Sequence, residues 1–473
     1  MSAGVQIEPE VEAQPLGAAV ALAPSALRPA PPLARPLPTR ELTGRLALGA
    51  IVLCGIAIAV GAGATRFMML SGIGPPLPDW IAGPFADVGW RIDGPLLCVL
   101  LGTMIAAYLV LLRAGEAISP RAGLGAIAGL HATYLLAPPL LSSDVFNYID
   151  AGRLDAVYGL NPYLATPVAR VADVAFPFTG APWAHSASVY GPGFEALASA
   201  LTPLGAAGEL WTLKAIAALA SLGCVALIWA CAQRLGRPPL QAAIFYGLNP
   251  IVLVLGVGGA HNDLLTGLFV LLALSLVLAG RARLAAGALA GAVAIKLTAL
   301  LLAPFLLVGA GARSRQAAAT GAAALALVAA GAFALFGTAP LHTVATLGAG
   351  GAKHVGELRS VPGFLAGYLG IGPVGSLARA LLGIACLAVV AALALLAWRG
   401  RLSWLTAACW AVLALLVCST RLEPWYTVWL VPLAALSDDR RVRRACQALV
   451  VAVALIGFVR YALRLGINYP HGG

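Results

Sequence analysis

The sequence has 473 residues, of which 60% are hydrophobic and only 10% are charged, and its mean hydropathy is +0.91. A soluble globular protein needs more polar and charged residues than this to cover its surface, so the composition excludes a soluble fold. The formal net charge is +11. The basic residues are scattered as pairs between apolar runs, however, which is typical of membrane topology signals and not of a nucleic-acid-binding surface.

We find no candidate functional residues in the two ends of the chain or among the cysteines. Residues 1–43 are rich in proline and alanine and lack an apolar run near the start, so we predict a disordered cytoplasmic tail and no signal peptide. A membrane domain is expected over 44–464 and a short outer tail over 465–473. Apolar runs contain or border all the cysteines, which we interpret as small core residues: Cys54, Cys98, Cys224, Cys231, Cys386, Cys409, Cys418 and Cys446.

Apolar stretches of membrane-spanning length recur along the whole domain. A helix needs about 20 residues to cross roughly 30 Å of hydrocarbon. The fold class expected is therefore an all-α polytopic bundle with outer-face loops and juxtamembrane helices. The clear predicted spans are 44–64, 95–113, 122–141, 211–232, 239–258, 263–280, 315–337, 377–398, 402–418, 425–437 and 445–464.

The segment 283–312 decides the topology. A single crossing there would place Arg313 and Arg315 outside and would reverse every later loop, against the positive-inside rule. Two short helices over 284–296 and 298–310, which meet at Lys296, remove the conflict. This hairpin gives about thirteen spans, with the N-terminus inside and the C-terminus outside. The apolar segment 190–208 has outside residues on both flanks, so we interpret it as re-entrant or interfacial.

With this topology the polar residues gather on the outer, periplasmic face. Ionisable groups at membrane depth are costly and are therefore treated as functional candidates. The residues expected on this face are Asp144, Asn147, Asp150, Arg153, Asp155, Asn161, Tyr163, His185, Tyr190, His261, Asn262, Asp263, Lys296, Lys353, His354, Glu357, Arg359, Arg421 and Glu423.

The stretch "SSDVFNYIDAGR" (142–153) places acids directly after a span. At 100° per residue, Asp144, Asn147 and Tyr148 share one helix face. Asp150 lies elsewhere on the helix and is predicted to pair with Arg153 at i+3. Asp144 is therefore the leading acid for a site, with a simple helix cap as the open alternative.

Two further stretches combine turn chemistry with polar groups. "YGLNPY" (158–163) is a loop in which Tyr163 either stacks on a sugar or anchors at the membrane interface, and Asn161 favours a turn. In "AHND" (260–263), capping explains Asn262 and Asp263 as well as binding does. His261 is less easily explained by capping.

Two single cations stand at outer helix ends. Snorkelling to the membrane surface is a sufficient explanation for Arg421 in "STRLEPWY". It is a poor one for Lys296, which is the one lysine in about 28 residues of nearly unbroken apolar sequence. We expect an anionic partner for Lys296, either Asp144 or a bound phosphate.

The ordered stretches "SSDVFNYIDAGR", "YGLNPY", "VYGPGFEAL", "GGAHNDLLTGL", "IKLTALLLAPF" and "RLEPWYTVWLVPL" resemble those of the bacterial polyprenol-phosphomannose-dependent mannosyltransferases, which belong to the GT-C class. The resemblance covers about residues 44–464. It implies a GT-C bundle and an outer-loop aspartate as base, which corresponds to Asp144. In many GT-C enzymes that aspartate follows the first span, whereas two more spans precede "SSD" here, so Asp79, Asp87 and Asp93 remain alternatives.

The resemblance implies transfer of a sugar, with mannose expected, from a polyprenyl-phosphate donor to a lipid-linked or cell-envelope glycan, with inversion. Lys296 and Arg421 would bind the donor phosphate, and if Lys296 does not, Lys353 or Arg359 could replace it. No cofactor is evident, and a divalent metal ion is left open. A lipid-sugar flippase, a non-catalytic scaffold, and the same enzyme class with arabinose or glucose are the alternatives. The expected substrate-binding residues are Asn147, Tyr148, Asn161, Tyr163, Tyr190, His261, Asn262 and Asp263.

Overall fold

A computed structural model of the chain describes Met1 and residues 38–64, 78–114, 118–341, 360–370 and 374–464. Most of the predicted N-terminal tail, the outer tail over 465–473, and Lys353, His354, Glu357 and Arg359 lie outside these residues. Every regular element within them is helical, so the expected all-α polytopic membrane fold is confirmed.

Many of the helices begin or end beside a proline. In chain order they are α1 (Pro38–Ala64), α2 (Asp79–Ala82), α3 (Gly94–Ala114), α4 (Pro120–Leu136), α5 (Asp144–Ala156), α6 (Ala181–Ala184), α7 (Pro192–Leu201), α8 (Gly205–Arg234), α9 (Pro239–Gly247), α10 (Asp263–Leu278), α11 (Ala282–Ile295), α12 (Ala303–Ala310), α13 (Ser314–Phe336), α14 (Val361–Tyr368), α15 (Ser376–Trp398), α16 (Trp404–Cys418), α17 (Val431–Leu436) and α18 (Arg440–Arg464).

Five helical runs of the described residues are long and apolar enough to cross a membrane, or six if α9 and the π-helix Ile251–Val257, which bend by 51° at Pro250, form one span. Further apolar helices of 10–17 residues include α10, α11 and α16. The count of about thirteen spans therefore stays a prediction.

Two predicted spans have different bounds in the structure. Helix α1 begins at Pro38, six positions before the predicted start at 44. Helix α4 ends at Leu136 and not at 141, because Pro138 and Pro139 follow, and a residue before proline is driven from the helical to the extended region. The extended segment after α4 leads directly into "SSD".

The predicted hairpin is present in the structure. Lys296 has extended backbone angles (φ −150°, ψ 116°) between α11 and the 3-10 turn Leu297–Leu302 that leads into α12. At one end of the hairpin Lys296 contacts Asp263, the first residue of α10. At the other end Arg313 donates a hydrogen bond of 2.8 Å to the Gly280 carbonyl, just after α10. The chain therefore leaves and returns on the same side as the end of α10.

The predicted re-entrant segment 190–208 forms α7 and a 3-10 turn that leads into α8. Helix α7 packs between α5 and the end of α11. A Cβ atom on Gly152 of α5 would lie 2.6 Å from the Ala198 backbone, and one on Gly191 would lie 2.3 Å from the Ala294 carbonyl oxygen. Only glycine permits such close backbone approach. Helix α7 therefore contacts both α5 and the tip of the hairpin, so these two elements lie in one region.

Candidate active site

Asp144 is the first residue of α5 and is buried, with 6% of its surface exposed. Its carboxylate Oδ1 accepts a 2.9 Å hydrogen bond from the indole Nε1–H of Trp183. Ser143 occupies the cap position and makes no side-chain cap hydrogen bond. The Asp144 carboxylate is therefore bonded to the indole of Trp183 in α6, and no side-chain hydrogen bond caps α5. The interpretation of Asp144 as a simple cap is wrong.

The surroundings of Asp144 make its carboxylate more basic than that of an exposed aspartate. Burial raises the pKa of the Asp144 carboxyl to about 6, and the Glu423 charge adds to this increase, whereas Arg421 and the Trp183 hydrogen bond lower the pKa. His261 Nδ1 lies 3.5 Å from Asp144 Oδ2. Burial, and then the Lys296 charge, hold the pKa of His261 well below its usual range. At neutral pH the pair is thus a carboxylate beside a neutral imidazole, and a carboxylate of this kind suits general base catalysis.

Lys296 occupies the tip of the hairpin beside α10. Its Nζ lies 2.5 Å from Asp263 Oδ1, which also accepts a 2.7 Å hydrogen bond from Trp429 Nε1–H. The ammonium lies 5.2 Å and 5.1 Å from the ring centres of Tyr426 and Trp429. Asp263 is the anionic partner of Lys296 in the structure, in place of either expected partner, Asp144 or a bound phosphate. A lysine ammonium has three donors, so Lys296 can bind a second anion while it keeps Asp263.

Arg421 is the second cation of the region. Its Nε donates a 3.1 Å hydrogen bond to Glu423 Oε1, and its guanidinium lies 5.1 Å from the centre of the Trp183 ring. Trp183 therefore contacts both the Asp144 carboxylate and Arg421. The two predicted phosphate-binding cations lie in the same region as the predicted base, each next to a carboxylate.

Several of the predicted substrate-binding residues border this region. His261 stacks on Trp425 with ring centres 4.1 Å apart. Asn262 occupies the cap position of α10, but neither polar atom of its buried side chain has a hydrogen-bond partner, so the alternative of a side-chain cap is wrong. Tyr148 packs edge-on against Tyr190 at 4.9 Å. Asn147, one turn from Asp144, is 2% exposed.

Asn161 and Tyr163 lie at the end of α13. Asn161 Nδ2 donates to the Phe336 carbonyl at 2.8 Å, and its Oδ1 accepts from the Tyr163 backbone amide at 3.0 Å. The Tyr163 hydroxyl donates to the Tyr190 carbonyl at 3.0 Å. These contacts fasten the loop that follows α5, and substrate binding by the two side chains stays a prediction.

The expected pairing of Asp150 with Arg153 is wrong. Arg153 Nε donates to both oxygens of Asp173, at 2.9 Å and 3.0 Å, and a guanidinium nitrogen lies 3.6 Å from Glu209. Asp150 instead accepts a hydrogen bond from Thr179. The loop that follows α5 supplies both Asp173 and Thr179, so its tertiary contacts replace the local i, i+3 pair.

No cluster of three or more His, Cys, Asp or Glu side chains suited to a metal ion occurs in the part of the chain that the structure describes. The alternative bases Asp79, Asp87 and Asp93 are exposed. Of these, Asp93 accepts a 2.8 Å hydrogen bond from the Leu96 amide and so caps α3. The geometry therefore favours Asp144 over all three.

Comparison with known proteins identifies the family. A family model described as "Alpha-(1->6)-mannopyranosyltransferase, N-terminal domain" matches residues 43–312, and one described as "MptB C-terminal domain" matches residues 354–460. The chain belongs to the α-(1→6)-mannopyranosyltransferase family. Alpha-(1->6)-mannopyranosyltransferase A of Mycobacterium tuberculosis is 29% identical over 76% of this chain and 74% of its own length. Alpha-(1->6)-mannopyranosyltransferase B of Corynebacterium glutamicum is 25% identical over 48% of this chain and 40% of its own length.

As a member of this mannopyranosyltransferase family, the chain is a multi-pass membrane glycosyltransferase that takes a sugar donor and a glycan acceptor. The resemblance to bacterial mannosyltransferases is thereby confirmed. The sequence interpretation missed Trp183, Trp425 and Trp429 as site residues, and it placed Glu423 on the outer face without a role. The clue was present in "RLEPWYTVWLVPL", which combines a cation, an acid and three aromatic residues within nine positions.

Proposed function

We propose that this mannosyltransferase transfers mannose from a polyprenyl-phosphate donor to a lipid-linked or cell-envelope glycan, with inversion, in a GT-C fold. The observation that carries the proposal is that the buried carboxylate of Asp144 lies in the region of two cations, Lys296 and Arg421. Each of these cations is already paired with a different carboxylate, Asp263 or Glu423. Such a set provides one base for an acceptor hydroxyl and positive charge for a departing phosphate.

The reaction follows from this set in one displacement. The acceptor hydroxyl oxygen attacks the anomeric carbon while its proton passes to Asp144, and the bond between that carbon and the phosphate oxygen breaks. The polyprenyl phosphate gains a negative charge as it leaves, and Lys296 and Arg421 stabilise this charge in a partly water-excluded site. A single base with an in-line leaving group inverts the anomeric carbon. Retaining hydrolysis would instead need a second carboxylate as nucleophile, about 5 Å from the acid.

The stereochemistry of the donor follows from that of the product. The relatives are named for an α-(1→6) linkage, and we propose the same linkage here. Because the displacement inverts the anomeric carbon, an α-linked product requires a β-linked mannosyl phosphate. The acceptor nucleophile is then a primary 6-hydroxyl, whose weak acidity makes a general base useful.

An apolar groove supports a lipid-linked donor. A cavity of about 250 Å³ lies between α11, α12 and α13, with Val293 and Leu300 at the end near Lys296 and Ala282 and Ala317 at the far end. It is lined by alanine, leucine, valine and glycine side chains. A phosphate bound at Lys296 would lead its prenyl chain into this groove, where apolar burial contributes about 25 cal/mol per Å².

The distribution of arginine supports an outer-face site. The end of the hairpin opposite Lys296 carries Arg281, Arg283, Arg313 and Arg315. Cytoplasmic loops are enriched in arginine and lysine, so we propose that this end of the hairpin lies in the cytoplasm. Lys296, Asp263 and the rest of the site then lie at the periplasmic side of the membrane.

Donor turnover by purified protein tests the proposal. The full-length chain in lipid nanodiscs is incubated with an α-(1→6)-mannan oligosaccharide and, in separate reactions, polyprenyl-phosphate mannose, arabinose or glucose. We expect free polyprenyl phosphate and an extended acceptor with mannose alone. Release of polyprenyl phosphate from the arabinose or glucose donor would assign that sugar to the donor in place of mannose. Movement of labelled lipid across liposomes without phosphate release would indicate a flippase.

A further inference from the structure

Two strained backbone turns present the site residues. Among the described residues, Leu141 (φ 58°) and Ala260 (φ 55°) are the non-glycine residues with positive φ. Leu141 lies three residues before Asp144, and Ala260 lies directly before His261. A side chain with a Cβ atom rarely adopts this conformation, and it persists only where the surrounding structure holds it. Something must therefore hold both turns.

The two turns are bonded to each other, and one lysine bonds the second turn to the end of α4. The Leu140 amide donates a 3.1 Å hydrogen bond to the Gly258 carbonyl. Lys214 Nζ, from α8, donates to the same Gly258 carbonyl at 3.2 Å and to the Tyr134 carbonyl at 3.1 Å. Lys214 thus links the last turn of α4, which leads to Asp144, with the end of the π-helix, which leads to His261.

The burial of Lys214 indicates a purpose other than stability. Its side chain is fully buried, at 0% exposure, and no ion pair within the described ranges includes it. Replacement of a buried charged side chain by a well-packed apolar one of similar volume often leaves stability unchanged or raises it. Polar groups retained inside membrane bundles at this cost usually serve function.

We propose that Lys214 is a positioning residue that holds the turns 140–144 and 258–263 together and so fixes the spacing of Asp144, His261 and Asp263. The role rests on the proposed function of Asp144 as base. Lys214 contacts neither carboxylate; it acts through the two backbone carbonyls. Through it, α8 is joined to both α4 and the end of the π-helix.

The test replaces Lys214 with methionine, which keeps the length of the side chain and removes the donor. Hydrogen exchange in nanodiscs should rise in peptides that cover 137–144 and 256–263 and stay unchanged elsewhere. The kcat for mannosyl transfer should fall about 10- to 100-fold, because small displacements of reacting groups are costly, while the donor KM changes less than about threefold. The exchange readout needs no donor, so it is independent of the proposed reaction.

The matched control is Ser221→Ala on the same helix. Ser221 joins His131 (2.8 Å) and Tyr246 (3.2 Å) across the bundle without touching either turn. The Ser221→Ala variant should have a lower Tm, but its kcat and the hydrogen exchange in the two turns should be unchanged. A second variant, Lys214→Met with Ala260→Gly, should recover part of the lost kcat because glycine adopts φ 55° without strain.

Unchanged exchange in both turns of Lys214→Met overturns the proposal, and so does a loss of kcat that Ser221→Ala reproduces. If Asp144→Asn keeps full turnover while Lys214→Met loosens the turns, the assignment of the base fails and the positioning role stands.

Discussion

Lys296 and Asp263 form an ion pair with Nζ 2.5 Å from Oδ1, although they lie 33 positions apart in the chain. Asp263 begins α10 and Lys296 separates the two helices of the hairpin, so the pair joins the two elements at one end of the membrane domain. The aromatic rings of Tyr426 and Trp429 line the ammonium. The lysine is thereby held in place before any phosphate binds.

Replacement of Lys296 tests the phosphate site. For Lys296→Ala we expect the donor KM to rise and kcat to fall, with kcat/KM lower by roughly 10- to 100-fold, because a hydrogen bond to a charged group contributes about 1.5–3 kcal/mol. Lys296→Arg should keep part of both parameters, since phosphate accepts either cation. Arg283→Ala, at the opposite end of α11, is the control and should leave both unchanged. Donor kinetics unaffected by Lys296→Ala would move the phosphate site to Arg421, Lys353 or Arg359.

Replacement of Asp144 tests the base. Asp144→Asn keeps the size of the side chain and its acceptor for Trp183 but removes the basic oxygen. We expect kcat to fall about 10²- to 10⁴-fold, the range typical of general base catalysis, with donor binding retained in a filter-binding assay. Asp93→Asn removes the charge of an exposed helix cap but keeps the acceptor for the Leu96 amide, and it should keep turnover. Wild-type turnover by Asp144→Asn would shift the assignment to Asp79, Asp87 or Asp93.

The pH dependence of kcat should follow the ionisation of Asp144. Because the pKa of this carboxyl is raised to about 6 by burial and Glu423, and because only the ionised form accepts a proton, kcat should increase as pH rises through about 6. The Trp183 hydrogen bond favours the ionised form, so Trp183→Phe should move this limb to higher pH. Trp211→Phe, which removes a hydrogen bond to the Trp80 carbonyl, should leave the limb in place. A limb that stays fixed in Trp183→Phe would contradict the assignment.

Cysteine labelling tests the orientation of the hairpin. Leu297→Cys and Ala312→Cys lie at opposite ends of its second half, and both positions are exposed. In intact cells, a membrane-impermeant maleimide should label position 297 from outside, whereas position 312 should react only after the cytoplasm is opened. The unsubstituted protein is the control for the native cysteines. Labelling of position 312 from outside would restore a single long span.

The ion pairs of Arg153 should be important for stability. Arg153→Met leaves Asp173 and Glu209, which are nearly inaccessible, without their cation, and we expect a loss of about 3–5 kcal/mol. The measurement is Tm in detergent. Asp155→Asn, which keeps an acceptor for Ser199, should cost much less. An equal loss in the two variants would show that Arg153 has no special role.

Much of the helical framework and the hairpin could be predicted from local information. Apolar runs define spans, and the pair Arg313 and Arg315 required the chain to return at Lys296. Helix geometry also separated Asp144 from Asp150, and the two carboxylates do have different partners, Trp183 and Thr179. These inferences succeed because membrane insertion imposes strong, local rules on hydropathy and charge.

The contacts within the site could not be predicted in the same way. Trp183 lies 39 positions from Asp144, and Trp429 lies 166 positions from Asp263, so no periodicity relates them. The spacing favoured a pair between Asp150 and Arg153. In the structure Arg153 instead donates to both carboxylate oxygens of Asp173, which lies in the following loop. Tertiary contacts decide such cases, and a single sequence contains no direct record of them.

Helix α13 has consequences for how the enzyme responds to its membrane. Of its side chains only Ala317 and Phe336 are buried, while one side of the helix, from Ala317 to Leu325, lines the apolar groove. Because the rest of this helix is largely exposed, we expect α13 to lie between the groove and the lipid. We therefore expect acyl-chain length and packing of the bilayer to alter the donor KM without any change to the protein. Measurements in different lipids would then give different apparent affinities for one unchanged phosphate site.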